Sequence, residues 1–195
     1  HPLITNSRLQ NYDVSSHKVC KSCDSGYGFM HSDSNAAPAA MLIEKGDNVV
    51  TTDGAYPTFN YHVEGFGGQL HKIPFKNDTE DLENLLIKVR ETSAKVLYVS
   101  NPNNPMGTIN KPFDIETLIE SLPETTLLCL DEAYIDFVDD DFIPNISLDK
   151  KNVIRMRTFS KAYGMAGLRV GYAIGEKELI LNFEKIRKFL IEFVS

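Results

Sequence analysis

The stretch VLYVSNPNNPMGTINKPFDIETLIESLPETTLLCLDEAY, residues 96–134, carries the alternation that decides the fold. Val96 to Val99 is an uninterrupted apolar run, which predicts a strand buried on both faces. It gives way to Asn101 to Asn110, a Pro- and Asn-rich loop. Ile115 to Leu122 then repeats apolar residues at helical spacing, and Thr126 to Leu130 forms a second apolar strand run. Two strands joined through a helix are the unit from which parallel sheets are built.

The same alternation extends in both directions. Upstream, Ala37 to Glu44 reads as an Ala-rich helix stopped at Lys45-Gly46, and Asn48 to Thr52 as a β-branched strand. Tyr56 to Phe66 has aromatics at helical spacing, Gln69 to Phe75 alternates like a strand, and Leu82, Leu85, Leu86 and Val89 mark another helix. Downstream, Asn152 to Arg157 and Val170 to Ile174 read as strands on either side of a Gly-rich turn that opens with Ser160-Lys161. Lys177 to Val194 is a lysine-rich, apolar helical stretch. The expected fold class is therefore α/β, a mostly parallel sheet flanked by helices. Residues 1–33 yield no assignment, and 34–195 form the expected domain.

Composition narrows the function. At 195 residues, 42% hydrophobic and 24% charged, the chain is ordinary for a globular protein and long enough to bury roughly 70% of its unfolded surface. Its net charge of −7 argues against a nucleic-acid partner, which needs a dense basic stripe. No apolar run is long enough to span a bilayer, and His1 to Ser16 lack the layout of a secretion signal, so no membrane partner and a cytoplasmic location are expected. Both ends, His1-Pro2 without an initiator Met and Ser195 directly after a helical stretch, look cut. Cys20 and Cys23 form a lone C-x-x-C with no second ligand pair, so no metal is expected. Cys129 reads as a small core residue.

Ligands of parallel α/β sheets bind at the carboxyl ends of the strands. Here those ends collect Asn103-Asn104, Asp131, and then Thr158, Ser160 and Lys161. Lys161 offers a primary amine that can form an imine once desolvation or a neighbouring cation lowers its pKa. Thr158, Ser160 and Arg169 put two hydroxyls and a guanidinium within reach of one anion, a set that suits a phosphate. Asp131 closes an apolar run, where a carboxylate is costly without a partner; taken alone, it could equally cap a helix. Gly164 and Gly167 allow tight turns nearby.

Three motifs in order, Asn101-Pro102-Asn103-Asn104-Pro105-Met106-Gly107, Leu130-Asp131-Glu132-Ala133-Tyr134, and Arg157 to Tyr172 around Ser160-Lys161, resemble those of the fold-type I aminotransferases, most closely the histidinol-phosphate aminotransferase branch. The resemblance covers about Gly46 to Phe193. It implies pyridoxal 5'-phosphate as cofactor, with Lys161 as the imine-forming lysine and Asp131 as partner of the pyridine nitrogen. Tyr134 and Asn104 would then donate to the ring 3-hydroxyl oxygen, Tyr56 would stack on the ring, and Thr158, Ser160 and Arg169 would form the phosphate cup. Lys161, Asp131 and Tyr134 are the catalytic candidates, and Glu132 is expected to be structural.

The resemblance further implies amino-group transfer between an amino acid, or an amino-alcohol phosphate, and a 2-oxo acid, in a homodimer. It also implies that residues 34–195 are the large cofactor-binding domain, with the family's small C-terminal domain not represented. A related lyase or decarboxylase and a truncated, non-catalytic cofactor-binding fragment are the alternatives. Two departures stand out. Met106 occupies a position where Thr is commoner, and Ser32-Asp33-Ser34 lacks the glycine expected immediately before the family's other phosphate-binding loop.

Overall fold

The computed structural model describes residues 27–31 and 42–182. Cys20, Cys23, Ser32-Asp33-Ser34 and the larger part of the helices expected over Ala37 to Glu44 and Lys177 to Val194 lie outside the described residues.

In chain order the elements are β1 (Tyr27–His31), β2 (Asn48–Thr52), α1 (Thr58–Gly65), β3 (Gln69–Ile73), α2 (Leu82–Thr92), β4 (Val96–Ser100), α3 (Pro112–Ser121), β5 (Leu127–Asp131), β6 (Val153–Thr158) and β7 (Val170–Gly175), with short 3-10 turns between β5 and β7. The strands form one seven-stranded sheet in the order β1-β7-β6-β5-β4-β2-β3. β2 to β6 run parallel to one another, and β7 lies antiparallel to both β6 and β1. β1 falls within the stretch that the sequence left unassigned, so the sheet begins before residue 34.

The sheet is covered on both faces, and the side-chain alternation shows it. Val49, Val96, Tyr98, Leu127 and Cys129 point into one core with Phe59 and Val63 of α1 and with Leu42, Leu179 and Ile180. Their neighbours Val50, Leu97, Val99, Leu128 and Leu130 point into the other, against Leu85 and Val89 of α2 and Ile115, Leu118 and Ile119 of α3. β4 and β5 are buried at every position, which is why their sequences read as continuous apolar runs. Burial also pushes the Cys129 thiol well above its usual range, in keeping with an inert core residue.

Local chemistry sets the element ends. Asp81 caps α2, its Oδ1 accepting the Asn84 N–H at 3.2 Å, and Ser93 closes the helix in the left-handed conformation. Pro112 opens α3, where its missing N–H costs nothing. Because β2 to β6 are parallel, Thr52, Ser100, Asp131 and Thr158 arrive at one edge of the sheet. β7 starts from that same edge, with Gly171 opposite Thr158. Any side chain at Gly171 would place its Cβ 2.7 Å from the Arg157 carbonyl oxygen, so the close approach of β7 to β6 there requires glycine.

Candidate active site

A cavity of about 450 Å³ opens at this edge, within the roughly 300–1,000 Å³ usual for small-molecule sites. All eight residues singled out from the sequence line it: Tyr56, Asn104, Asp131 and Tyr134 together with Thr158, Ser160, Lys161 and Arg169. Ser100, Thr58, Ala133, Ala166 and the β7 start at Val170 and Gly171 complete the lining.

Asp131 is the last residue of β5 and is only 7% exposed. Its backbone remains in the sheet, where its carbonyl accepts the Asn101 N–H at 2.9 Å. Its side chain is held as well. Oδ1 accepts the Ala133 N–H at 3.0 Å, and Oδ2 accepts the Tyr98 hydroxyl at 2.5 Å. The following 3-10 turn, Ile135–Phe137, has Tyr134 at its N-cap, so Asp131 caps no helix. Tyr98 is fully buried and stacks on Phe59, with ring centroids 4.3 Å apart. Burial, then the charge of Asp131, holds its phenol well above the usual range, so it stays a proton donor to the carboxylate.

Beside Asp131, Glu132 is completely buried and anchors β6. Its Oε1 accepts from Arg155 Nε at 3.0 Å and Nη2 at 2.8 Å, and its Oε2 accepts from Arg157 Nε at 2.8 Å. The structural role expected of Glu132 is the one its contacts describe. Arg157 leads directly into Thr158, so the ion pairs fix the end of β6 from which the next residues depart.

Thr158 Oγ1 accepts the Ser160 N–H at 3.0 Å, folding the chain sharply after β6. Gly164, at φ +65°, continues the turn, and its N–H donates to the Lys161 carbonyl at 3.0 Å. Arg169 adopts a left-handed backbone and donates from Nη1 to the Ala166 carbonyl at 3.1 Å. Lys161 is exposed, with Nζ 5.1 Å from the centroid of the Tyr134 ring, a cation–π approach. The described residues therefore bring Lys161 to the cavity, exposed, with Arg169 lining the same cavity.

On the opposite side, the Tyr56 N–H donates to the Asn104 carbonyl at 3.1 Å, which ties the two together, and Tyr56 is 50% exposed. Beneath them lies Glu80, which sequence reasoning missed. It is 3% exposed and accepts hydrogen bonds from Asn103, Ser100 and Thr52. Tyr98 was also missed as a polar residue. The available signal was a tyrosine inside a fully apolar strand, whose hydroxyl must find a partner when buried. Among the described residues no group of three His, Cys, Asp or Glu side chains is placed to hold a metal ion, and no helix is long and apolar enough to cross a membrane.

Comparison with known proteins identifies the family. The chain is 38% identical over 148 residues to histidinol-phosphate aminotransferase 2 of Bacillus cereus, covering 74% of this chain and 40% of that protein. It is 37% identical to an aromatic amino acid aminotransferase of Mycobacteroides abscessus, covering 72% and 41%. Among solved structures, histidinol-phosphate aminotransferase from Sinorhizobium meliloti in complex with pyridoxal-5'-phosphate superposes with a TM-score of 0.80 at 44% identity, over 83% of this chain and 45% of that one. The chain thus spans less than half the length of these relatives. The family model for aminotransferase class I and II matches residues 28–192, and the chain belongs to that family.

Proposed function

We propose that this chain is the cofactor-binding part of a pyridoxal-phosphate-dependent aminotransferase that moves an amino group between an amino acid, or an amino-alcohol phosphate, and a 2-oxo acid. The observation that carries the reading is the convergence of an amine, a hydrogen-bonded carboxylate, two hydroxyls and a guanidinium in one cavity at the carboxyl edge of the sheet. When bound, the cofactor supplies an aldehyde carbon that takes an amine and a ring that accepts electron density from the substrate Cα.

The residues divide that work. Thr158, Ser160 and Arg169 hold the phosphate, the guanidinium contributing charge and a fork of donors. Asp131 holds a proton at the ring nitrogen, and Tyr98 and Ala133 keep its carboxylate aimed there. Asn104 and Tyr134 would donate to the ring oxygen, and Tyr56 would pack on the ring. Lys161 would hold the cofactor through its Nζ amine and would serve as the base and acid that takes and returns the proton at the substrate Cα. Residues 34–195 act as the large domain in this reading, together with β1. A homodimer in the cytoplasm belongs to the same proposal. Exposed Tyr163 and Leu168, on the segment that lines the cavity, support the dimer.

Incubation with pyridoxal phosphate, borohydride reduction and peptide mapping test the assignment. The expected label is on Lys161. Label on another lysine overturns the reading.

A further inference from the structure

Glu80 lies in the last stretch of chain before α2, beneath the cavity and outside its lining. Its Oε1 accepts from Asn103 Nδ2 at 2.8 Å and from the Ser100 N–H at 3.3 Å, and its Oε2 accepts the Thr52 hydroxyl. Its backbone carbonyl takes Asn110 Nδ2 at 3.0 Å. Through its carboxylate this one residue joins the end of β2, the end of β4 and the start of the 101–110 loop, and through its backbone carbonyl the end of that loop.

Asn103 passes the restraint on. Its N–H donates to the Thr108 carbonyl at 2.8 Å, its carbonyl accepts the Gly107 N–H at 3.0 Å, and its Oδ1 accepts the Met106 N–H at 3.2 Å. Every polar atom of Asn103 is therefore engaged in closing the loop or in holding it to Glu80. The next residue, Asn104, takes the Tyr56 N–H and lines the cavity with it.

A carboxylate is an expensive choice at a site that is nearly sealed from water. The charged and titratable groups around it are Asp81 next in the chain, Tyr98 on β4 and, through Tyr98, Asp131. Among the described residues no Lys, Arg or His forms an ion pair with it. The three donors that converge on it belong to the segments that shape the cavity wall.

We propose that Glu80 is a positioning residue that acts through Asn103 to fix the Tyr56–Asn104 wall of the cavity. The consequence for the cofactor rests on the function proposed above, whereas the effect on the loop does not. Burial raises the Glu80 carboxyl to about 7 against the pull of Asn103 and Ser100, so below that pH glutamine reproduces its neutral form.

The test uses the chain and its Glu80→Ala, Glu80→Gln and Asn103→Ala variants at about pH 6, below the ionisation of Glu80. Amide hydrogen exchange is followed without cofactor, and the pH titration of the absorbance band is followed with pyridoxal phosphate bound. Glu80→Ala and Asn103→Ala each speed exchange at Tyr56 and Met106 by roughly tenfold or more relative to Leu128 and Leu130, the scale of one lost buried hydrogen bond, and Glu80→Gln stays near the parent. Both alanine variants also displace the spectroscopic titration. Should Glu80→Ala fail to fold, Asn103→Ala decides on the same readouts. Equal acceleration throughout β5, no acceleration, or an unmoved titration beside a loosened loop each overturn the proposal. Selective loosening in a chain whose parent shows no Lys161-dependent band upholds the role of Glu80 in the loop and sinks the cofactor reading instead.

Discussion

Replacing Glu80 by glutamine should change how stability depends on pH, and the size of the change follows from the burial of the carboxyl. Its pKa rises from the ordinary 4.5 to about 7 in the folded chain, with burial as the largest cause. In the unfolded chain the group ionises near 4.5. Between these values the folded state binds the proton more tightly, so stability present below about pH 4.5 is lost as pH rises and levels off above about 7. The shift corresponds to roughly 3 kcal/mol at about 1.4 kcal/mol per pH unit. Glutamine keeps a carbonyl acceptor for Asn103 and Ser100 and does not titrate. The parent-minus-variant stability difference should therefore fall by roughly 3 kcal/mol between pH 4.5 and 8, with the variant gaining on the alkaline side. Urea denaturation of both proteins across that range isolates the effect, because the other titrating groups are common to both. In melting temperature, each kcal/mol amounts to roughly 2–4 °C for a chain of this size. A difference that varies by less than about 1 kcal/mol across the range would refute the reasoning.

Tyr98→Phe removes the hydroxyl that donates to Asp131 and leaves the ring stacked on Phe59, so it should cost roughly 1.5–3 kcal/mol in urea denaturation, as for a hydrogen bond to a charged group. A loss under about 0.5 kcal/mol would show that the bond is dispensable. Glu132→Gln leaves the guanidinium groups of Arg155 and Arg157 facing a neutral amide, and a cost of roughly 3–5 kcal/mol is expected; stability within about 1 kcal/mol of the parent would contradict it. Asp131→Asn should bind pyridoxal phosphate nearly as well as the parent yet slow the amino-transfer half-reaction by a hundredfold or more, on the scale of one lost preorganised electrostatic partner. Equal half-reaction rates, read by absorbance, would remove Asp131 from the role proposed for it.

Much of this was legible because the sheet is parallel and buried on both faces. Such strands write themselves as apolar runs, so β2 has the same bounds, Asn48 to Thr52, as the strand expected there. The misjudged ends have local causes. α1 begins at Thr58, not Tyr56, because the residue before Pro57 is excluded from the helical region. β3 stops at Ile73 because Pro74 has no N–H for the ladder. Asp131 belongs to β5, since a polar side chain at a strand end reads as loop while its backbone still pairs with Met156. Tyr98 and Glu80 escaped for a deeper reason. Their partners lie 33 and 23 residues away, and only the packing of neighbouring strands and loops brings Tyr98 to Asp131 and Glu80 to Asn103.

The two groups most central to the proposed chemistry sit on opposite kinds of backbone. Asp131 ends a strand buried at every position, with its carbonyl in the sheet and both carboxylate oxygens taken by donors. A group that must hold one proton throughout a reaction gains from such fixity, because no reorganisation is needed when charge develops. Lys161 is exposed, on a turn closed by the Gly164 N–H and fixed at its root by Thr158 and the Glu132 ion pairs. A group that must bond, let go and then carry a proton needs a free side chain on a fixed base. The same edge of the sheet provides both. The burial of Glu80, Asp131 and Glu132 at that edge is destabilising in itself, and the two apolar cores that cover the sheet offset it. Stability resides mainly in the faces of the sheet, which leaves its carboxyl edge available for chemistry.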